Sequence, residues 1–196
     1  MDHRERLAHT DDENPSQPDR EPLSRAGRTV AGPRAAGDLG ILKTTIDHDC
    51  MSHPLAALFS PRSIAFVGAT ERSVWTRAAF ANLRTLGYDG KIFLVNRKGG
   101  EVLGHPAVST IREIGEPVDV ALLMVPSETL LDTLPELSAA GIRNAIILSA
   151  GFAESGPAGR ELQERLMNLA REHGISLLGP NCLGFVNYTN KAPVWR

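Results

Sequence analysis

The stretch "SIAFVGATERSVWTRAAFANLRTLG", Ser63 to Gly87, decides the fold. It opens on a short apolar run with β-branched residues, Ser63 to Gly68, closed by a glycine. A polar loop follows. Val74 to Leu86 then reads as a helix that stops at Gly87, a natural C′ position. This is a strand, a tight turn and a helix: one βα unit.

The unit repeats along the chain. "KIFLVN" (91–96), "VDVALLMVP" (118–126), "NAIILSAG" (144–151) and "ISLLGP" (175–180) are further apolar runs. Near-continuous apolar strands predict a sheet buried on both faces, and therefore parallel. Ser127 is placed to cap a helix carrying Leu130, Leu131, Leu134 and Leu137, with Pro135 expected to kink or divide it. A last helix over about 158–173 aligns Leu162, Leu166, Leu169 and Ala170 and ends at Gly174. "HPAVSTIREI" (105–114) reads as a short strand followed by a helical turn. The expected fold is α/β: a Rossmann-like, doubly wound, mostly parallel sheet with helices on both faces.

Upstream the character changes. Met1 to about Asp47 mixes acids and arginines with Pro15, Pro18, Pro22 and Pro33 and has few periodic apolar residues. Such a segment buries too little apolar surface to offset its ordering entropy. The expected organisation is a disordered tail over 1–52, a domain over 53–190 and a C-terminal stub over 191–196. Near the tail's end, "DHDCMSH" holds Asp47, His48, Asp49, Cys50 and His53, ligand types that suit zinc. A frayed segment supplies little support for a full ligand set, so no metal is expected.

Composition excludes several classes. The chain has 196 residues, 42% of them hydrophobic, and a net charge of −2, which gives no general pull toward nucleic acid or anionic membrane. No apolar run approaches the roughly 18 residues that span a bilayer. The N-terminus lacks the apolar core of a secretory signal. Two cysteines make no disulfide framework, so the expected compartment is the cytoplasm.

In a doubly wound sheet, ligands bind outside the carboxyl ends of the strands. That rule singles out "GATERS" (68–73), "NRKGG" (96–100), "PSE" (126–128), "SAGFAE" (149–154) and "GPNCLG" (179–184). In the first loop only Gly68 of a dinucleotide-type glycine fingerprint is present. Its backbone N–H groups and the Thr70 and Ser73 hydroxyls can still approach a phosphate at the helix N-terminus. In the second, an NAD site would carry an acid after the strand; Arg97 and Lys98 stand there instead and suit an extra ribose phosphate. NADP and coenzyme A both carry one. Ser149, Ala150 and Gly151 are small enough for a ligand to lie along their backbone. No His or Lys in these loops would activate Ser149 as a nucleophile, and Glu154 has no obvious partner. Cys182 likewise lacks a neighbour to activate it. "GPNCLG" reads as a shaped turn rather than a cysteine site.

Taken in order, "SIAFVGAT", "GYDGKIFLVN", "VDVALLMVP", "GIRNAIILSAGFAESG" and "LLGPNCLGFVN" resemble the CoA-binding domain of the NDP-forming acyl-CoA synthetases and of the succinyl-CoA ligase α subunit. The resemblance covers about 54–190. It implies coenzyme A or acyl-CoA as ligand. Gly68, Ala69 and Thr70 would approach the nucleotide and pyrophosphate. Lys98 and Arg97 would serve the phosphates, although the family often has proline at position 97. Ser149, Ala150 and Gly151 would line the pantetheine path, with Pro126 and Ser127 on the neighbouring loop. The family's phosphohistidine and ATP-grasp domains have no counterpart in the sequence, so no ligase activity is expected of this polypeptide alone. The expected partner is a separate subunit carrying them. Two other readings stay open. One is an NADP-binding oxidoreductase or redox sensor. The other is a non-catalytic, CoA-responsive regulatory domain, for which an exposed apolar strip within "LGFVNYTNKAPVW" (183–195) would speak.

Overall fold

The computed structural model describes residue 53 and residues 55–195. The expected tail, including Asp47 to Cys50 of the metal-ligand cluster, lies outside them. Among the described residues no group of three His, Cys, Asp or Glu is placed to hold a metal ion. None of their helices is long and apolar enough to cross a membrane.

The first βα unit folds as its sequence suggests. Strand β1 (Ser63–Val67) is buried at every position, and helix α2 (Val74–Thr85) follows it. The Ser73 hydroxyl accepts from the Thr76 N–H and caps α2. At the other end the Gly87 N–H bonds Arg84 O and the Tyr88 N–H bonds Leu83 O. With Gly87 at φ +70°, this is a Schellman stop. Gly141 and Gly174 end α3 (Leu130–Ala139) and α4 (Pro157–Glu172) with the same pair of bonds.

β1 is the centre of the sheet. It pairs in parallel with β2 (Lys91–Val95) on one side and β5 (Val120–Leu123) on the other. The order is β3-β4-β2-β1-β5-β6-β7, with β3 at Glu101–Val102, β4 at His105–Val108, β6 at Asn144–Ile147 and β7 at Ser176–Leu178. Among the described residues of this sheet, only the β3–β4 pair is antiparallel. The chain runs outward from β1 to one edge, returns, and builds the other half, which is the doubly wound topology.

Successive residues of β1 point to opposite faces. Ala65 and Val67 join a core with Leu130, Leu134, Leu137 and Leu166 under α3 and α4. Ile64 and Phe66 join a second core with Leu58, Ala79, Leu83 and Val194 under the one-turn α1 (Ala56–Phe59) and α2. Part of that second face is covered by a hairpin, β8 (Gly184–Asn187) with β9 (Ala192–Trp195). The domain boundary expected at 190 therefore falls inside a hairpin. Of the apolar strip, Val194 and Ala192 are buried and Phe185 is half-buried, edge-on to Phe59. Leu183 and Tyr188 are exposed.

Two local expectations need correction. Ser127 does not cap α3, because a 3₁₀ turn over Ser127–Thr129 puts it inside the helical spiral and α3 begins at Leu130. Thr129 takes the capping position, but its hydroxyl donates to Pro126 O. Pro135 does not divide α3, which is continuous past it. The loss of one backbone bond is outweighed by the burial of Leu130, Leu134 and Leu137 along the same helix.

Candidate functional site

The loops after β1, β2, β5 and β6 converge on two neighbouring clefts at the carboxyl edge of the sheet. The first, about 220 Å³, has Val67, Gly68, Val95 and Val125 in its lining, where three strands end. Arg97 lines it from the β2 loop. Asp132 and Glu136, one turn apart on α3, line it from the opposite side. Sequence reasoning missed these two acids; their i, i+4 spacing on the polar side of a leucine-rich helix was the available signal. The second cleft, about 580 Å³, is walled by Trp75, Met124 and Leu148, with Pro126, Ser127, Ser149, Ala150 and Asn181 around it. Val125 lines both.

The expected site residues thus fall into groups. Gly68 and Arg97 reach the first cleft, and Pro126, Ser127, Ser149 and Ala150 the second. Ala69, Thr70, Lys98 and Gly151 belong to neither lining. Ala69 is fully buried beneath the loop, and Thr70 and Lys98 are exposed. Gly151 abuts Ser127: a β-carbon on it would stand 3.2 Å from the Ser127 hydroxyl.

The first loop is less open to anions than its sequence suggests. The Gly68 and Ala69 N–H groups both donate to Val95 O at 3.0 Å. The Thr70 N–H donates to the Thr76 hydroxyl and the Ser73 N–H to Thr70. These donors hold the turn against β2 and α2 instead of facing a ligand. What the loop offers is close approach. Gly68 sits at φ +85°, and a β-carbon there would meet Met124 O at 2.8 Å.

The "SAGFAE" loop is tied on both sides. The Ser149 hydroxyl donates to Val125 O, so it is bound to the backbone rather than poised as a nucleophile. Ser149 O accepts from the Asn181 N–H at 3.0 Å, and Ile147 O accepts from the Cys182 N–H at 3.1 Å. The Cys182 thiol accepts from the Gly184 N–H. "GPNC" is therefore a turn stitched to the end of β6. Glu154, for which the sequence offered no partner, has several. Its carboxylate accepts from the Gly151 N–H at 2.8 Å and the Phe152 N–H at 3.2 Å. Hydrogen bonds from its own N–H and from those two hold its pKa below the ordinary carboxylate value.

A centrally wound parallel sheet with clefts at its carboxyl edge defines the Rossmann-like class of α/β domains. Within that class the chain belongs to the CoA binding domain family, whose model matches residues 62–188, the family found in NDP-forming acyl-CoA synthetases. It is 34% identical over 143 residues to an ADP-forming acetate–CoA ligase II of Archaeoglobus fulgidus, covering 69% of this chain and 20% of that protein. It is 36% identical over 137 residues to the α subunit of the ADP-forming acetate–CoA ligase I of Pyrococcus furiosus, covering 67% and 30%. Among solved structures it resembles a dinucleotide-forming acetyl-coenzyme A synthetase 1 of Ca. Korarchaeum cryptofilum in complex with phosphate and ADP. There the TM-score is 0.65 at 32% identity, over 70% of this chain and 29% of that one. The chain spans less than a third of the length of each of these relatives.

Proposed function

We propose that this domain binds coenzyme A or acyl-CoA along the carboxyl edge of its sheet, as the CoA-binding module of an NDP-forming acyl-CoA synthetase system. The observation that carries the reading is the family match over 62–188, which spans the loops of both clefts. In this reading the nucleotide end lies toward Gly68 and Arg97, where a guanidinium suits the ribose 3′-phosphate. Lys98, exposed beside Arg97, adds charge at the rim. The pantetheine arm runs over Val125 into the second cleft, past Pro126, Ser127, Ser149 and Ala150. Ala69 and Thr70 shape the loop under the pyrophosphate, and Gly151 keeps the far wall thin.

The domain's own contribution to the ligase reaction is positioning. It holds the thiol so that a partner carrying the phosphohistidine and ATP-grasp parts delivers an acyl phosphate to it, and proximity supplies the rate gain. That one relative is itself an α subunit supports a separate partner chain. Expectations of no metal, no nucleic acid, no membrane and a cytoplasmic setting belong to the same reading.

The position of Arg97 at the end of β2 also fits NADP, and one titration separates the two ligands. Calorimetry with CoA, dephospho-CoA, NADP and NAD is expected to give binding of CoA that weakens without the 3′-phosphate. Binding of NADP with none of CoA would overturn the proposal.

A further inference from the structure

Three consecutive backbone N–H groups, those of Gly151, Phe152 and Ala153, turn away from the sheet after β6 and find no backbone partner in it. Side chains from just downstream take them. The Glu154 carboxylate accepts from Gly151 and Phe152, and the Gln163 carbonyl oxygen accepts from Ala153 at 3.2 Å. The loop is also wedged from behind. Phe152 is fully buried, and Gly159 of α4 lies so close beneath it that a β-carbon there would stand 1.9 Å from Phe152 O. Gly151 therefore sits between a fixed Phe152 and the Ser127 hydroxyl, at φ +102°. Ser149 and Ala150, the residues that face the second cleft, hang from it.

We infer that Glu154 is a positioning residue for the ligand: its two hydrogen bonds fix the Gly151–Phe152 turn and thereby set the wall of the second cleft. This rests on the proposed binding of CoA there. Three features single Glu154 out from its neighbours. It is exposed, so removing it leaves no cavity in the core. It touches the loop through one oxygen on two donors, so it constrains backbone rather than packing. It also stays ionised at neutral pH, since those donors favour the charged form. The freed N–H groups of a variant would bond water, at little cost to folding. What such a variant loses is preorganisation, which is felt on binding.

The test compares Glu154→Ala and Glu154→Gln with the wild-type full chain. Three quantities are measured: CoA affinity by calorimetry, the melting temperature, and amide hydrogen exchange at Gly151 and Phe152. Glu154→Ala is expected to raise the Kd about tenfold, and Glu154→Gln, which keeps an acceptor oxygen, to stay within about threefold. Both should melt close to wild type, and exchange at the two amides should quicken in the alanine variant alone. Equal CoA affinity in wild type and Glu154→Ala overturns the inference, as does a glutamine variant as weak as alanine. A wild-type chain that binds no CoA defeats the functional reading instead. The amide exchange still decides whether Glu154 holds the turn, and unchanged exchange in Glu154→Ala refutes that.

Discussion

Gly68 and Met124 meet where β1 and β5 end. A β-carbon on Gly68 would stand 2.8 Å from the Met124 carbonyl oxygen, and the residue already occupies φ +85°. Both restrictions act at the floor of the first cleft. Gly68→Ala is expected to cost about 2 kcal/mol or more, from positive-φ strain and overpacking together. Denaturant unfolding reads that cost directly. CoA titration of the variant at low temperature, where it stays folded, should also show weakened binding.

Arg97 provides the second prediction. It is the cation in a cleft that also holds Asp132 and Glu136. An anionic group admitted there needs the guanidinium to offset two carboxylates. Arg97→Ala should weaken CoA about tenfold while changing dephospho-CoA by less than about threefold. Parallel titrations with the two ligands make the comparison. Equal losses for both would move the 3′-phosphate away from Arg97.

Cys182 is expected to be dispensable. Its backbone N–H makes the bond to Ile147 O, and that bond survives any side-chain change. The thiol adds two weak bonds to one residue, accepting from the Gly184 N–H and donating to Gly184 O. Cys182→Ala should hold CoA affinity within about threefold and lower stability by about 1 kcal/mol or less. A complete loss of binding in a folded variant would give the thiol a direct role.

Tyr88 links pH to stability. Its hydroxyl is buried and donates to Pro61 O at 3.1 Å. Burial first, and then the nearby charges of Asp119 and Asp89, raise its pKa well above the ordinary value of 10.0. The folded state therefore holds this proton more tightly than the unfolded chain does. The contribution is fully present below pH 10.0 and is lost as pH rises beyond it. Tyr88→Phe should cost about 1–2 kcal/mol at neutral pH, for the lost bond and the unsatisfied carbonyl. The variant should also show a shallower fall in stability on the alkaline side, which melting curves across that range would measure.

Much of this was legible in the sequence because the governing signals are local. Strands buried on both faces are nearly continuous apolar runs, and β1 is one from Ile64 to Val67, with the Ser63 hydroxyl satisfied by Pro117 O. Helices that stop at Gly87, Gly141 and Gly174 need a left-handed residue one step past the cap. The β8–β9 hairpin was not legible. Its turn passes through Tyr188, Thr189, Asn190 and Lys191, with Lys191 at φ +50° where a glycine is usual, and is held by Asn187 accepting from the Thr189 and Asn190 N–H groups. Asn187 and Asn190 also reach back to α1 and Ser60, more than a hundred residues away in sequence, which no local pattern encodes. The candidate site divides the same way. The five loops were found by a topological rule. That the Gly68 and Ala69 donors are already committed to Val95, and that Glu154 serves Gly151, depends on side chains and strands meeting in three dimensions.

The bond from Ser149 to Val125 O has a consequence for molecular recognition. A serine hydroxyl has one proton, and here it points inward to the backbone. Only lone pairs remain to face the second cleft. The Ser149 hydroxyl can therefore receive a hydrogen bond there but cannot give one, so it answers an amide N–H or a hydroxyl and leaves a carbonyl oxygen to Ser127 and Asn181 in the same lining. In this way one inward-turned proton divides the work of the cleft: Ser149 accepts, and donation falls to its polar neighbours.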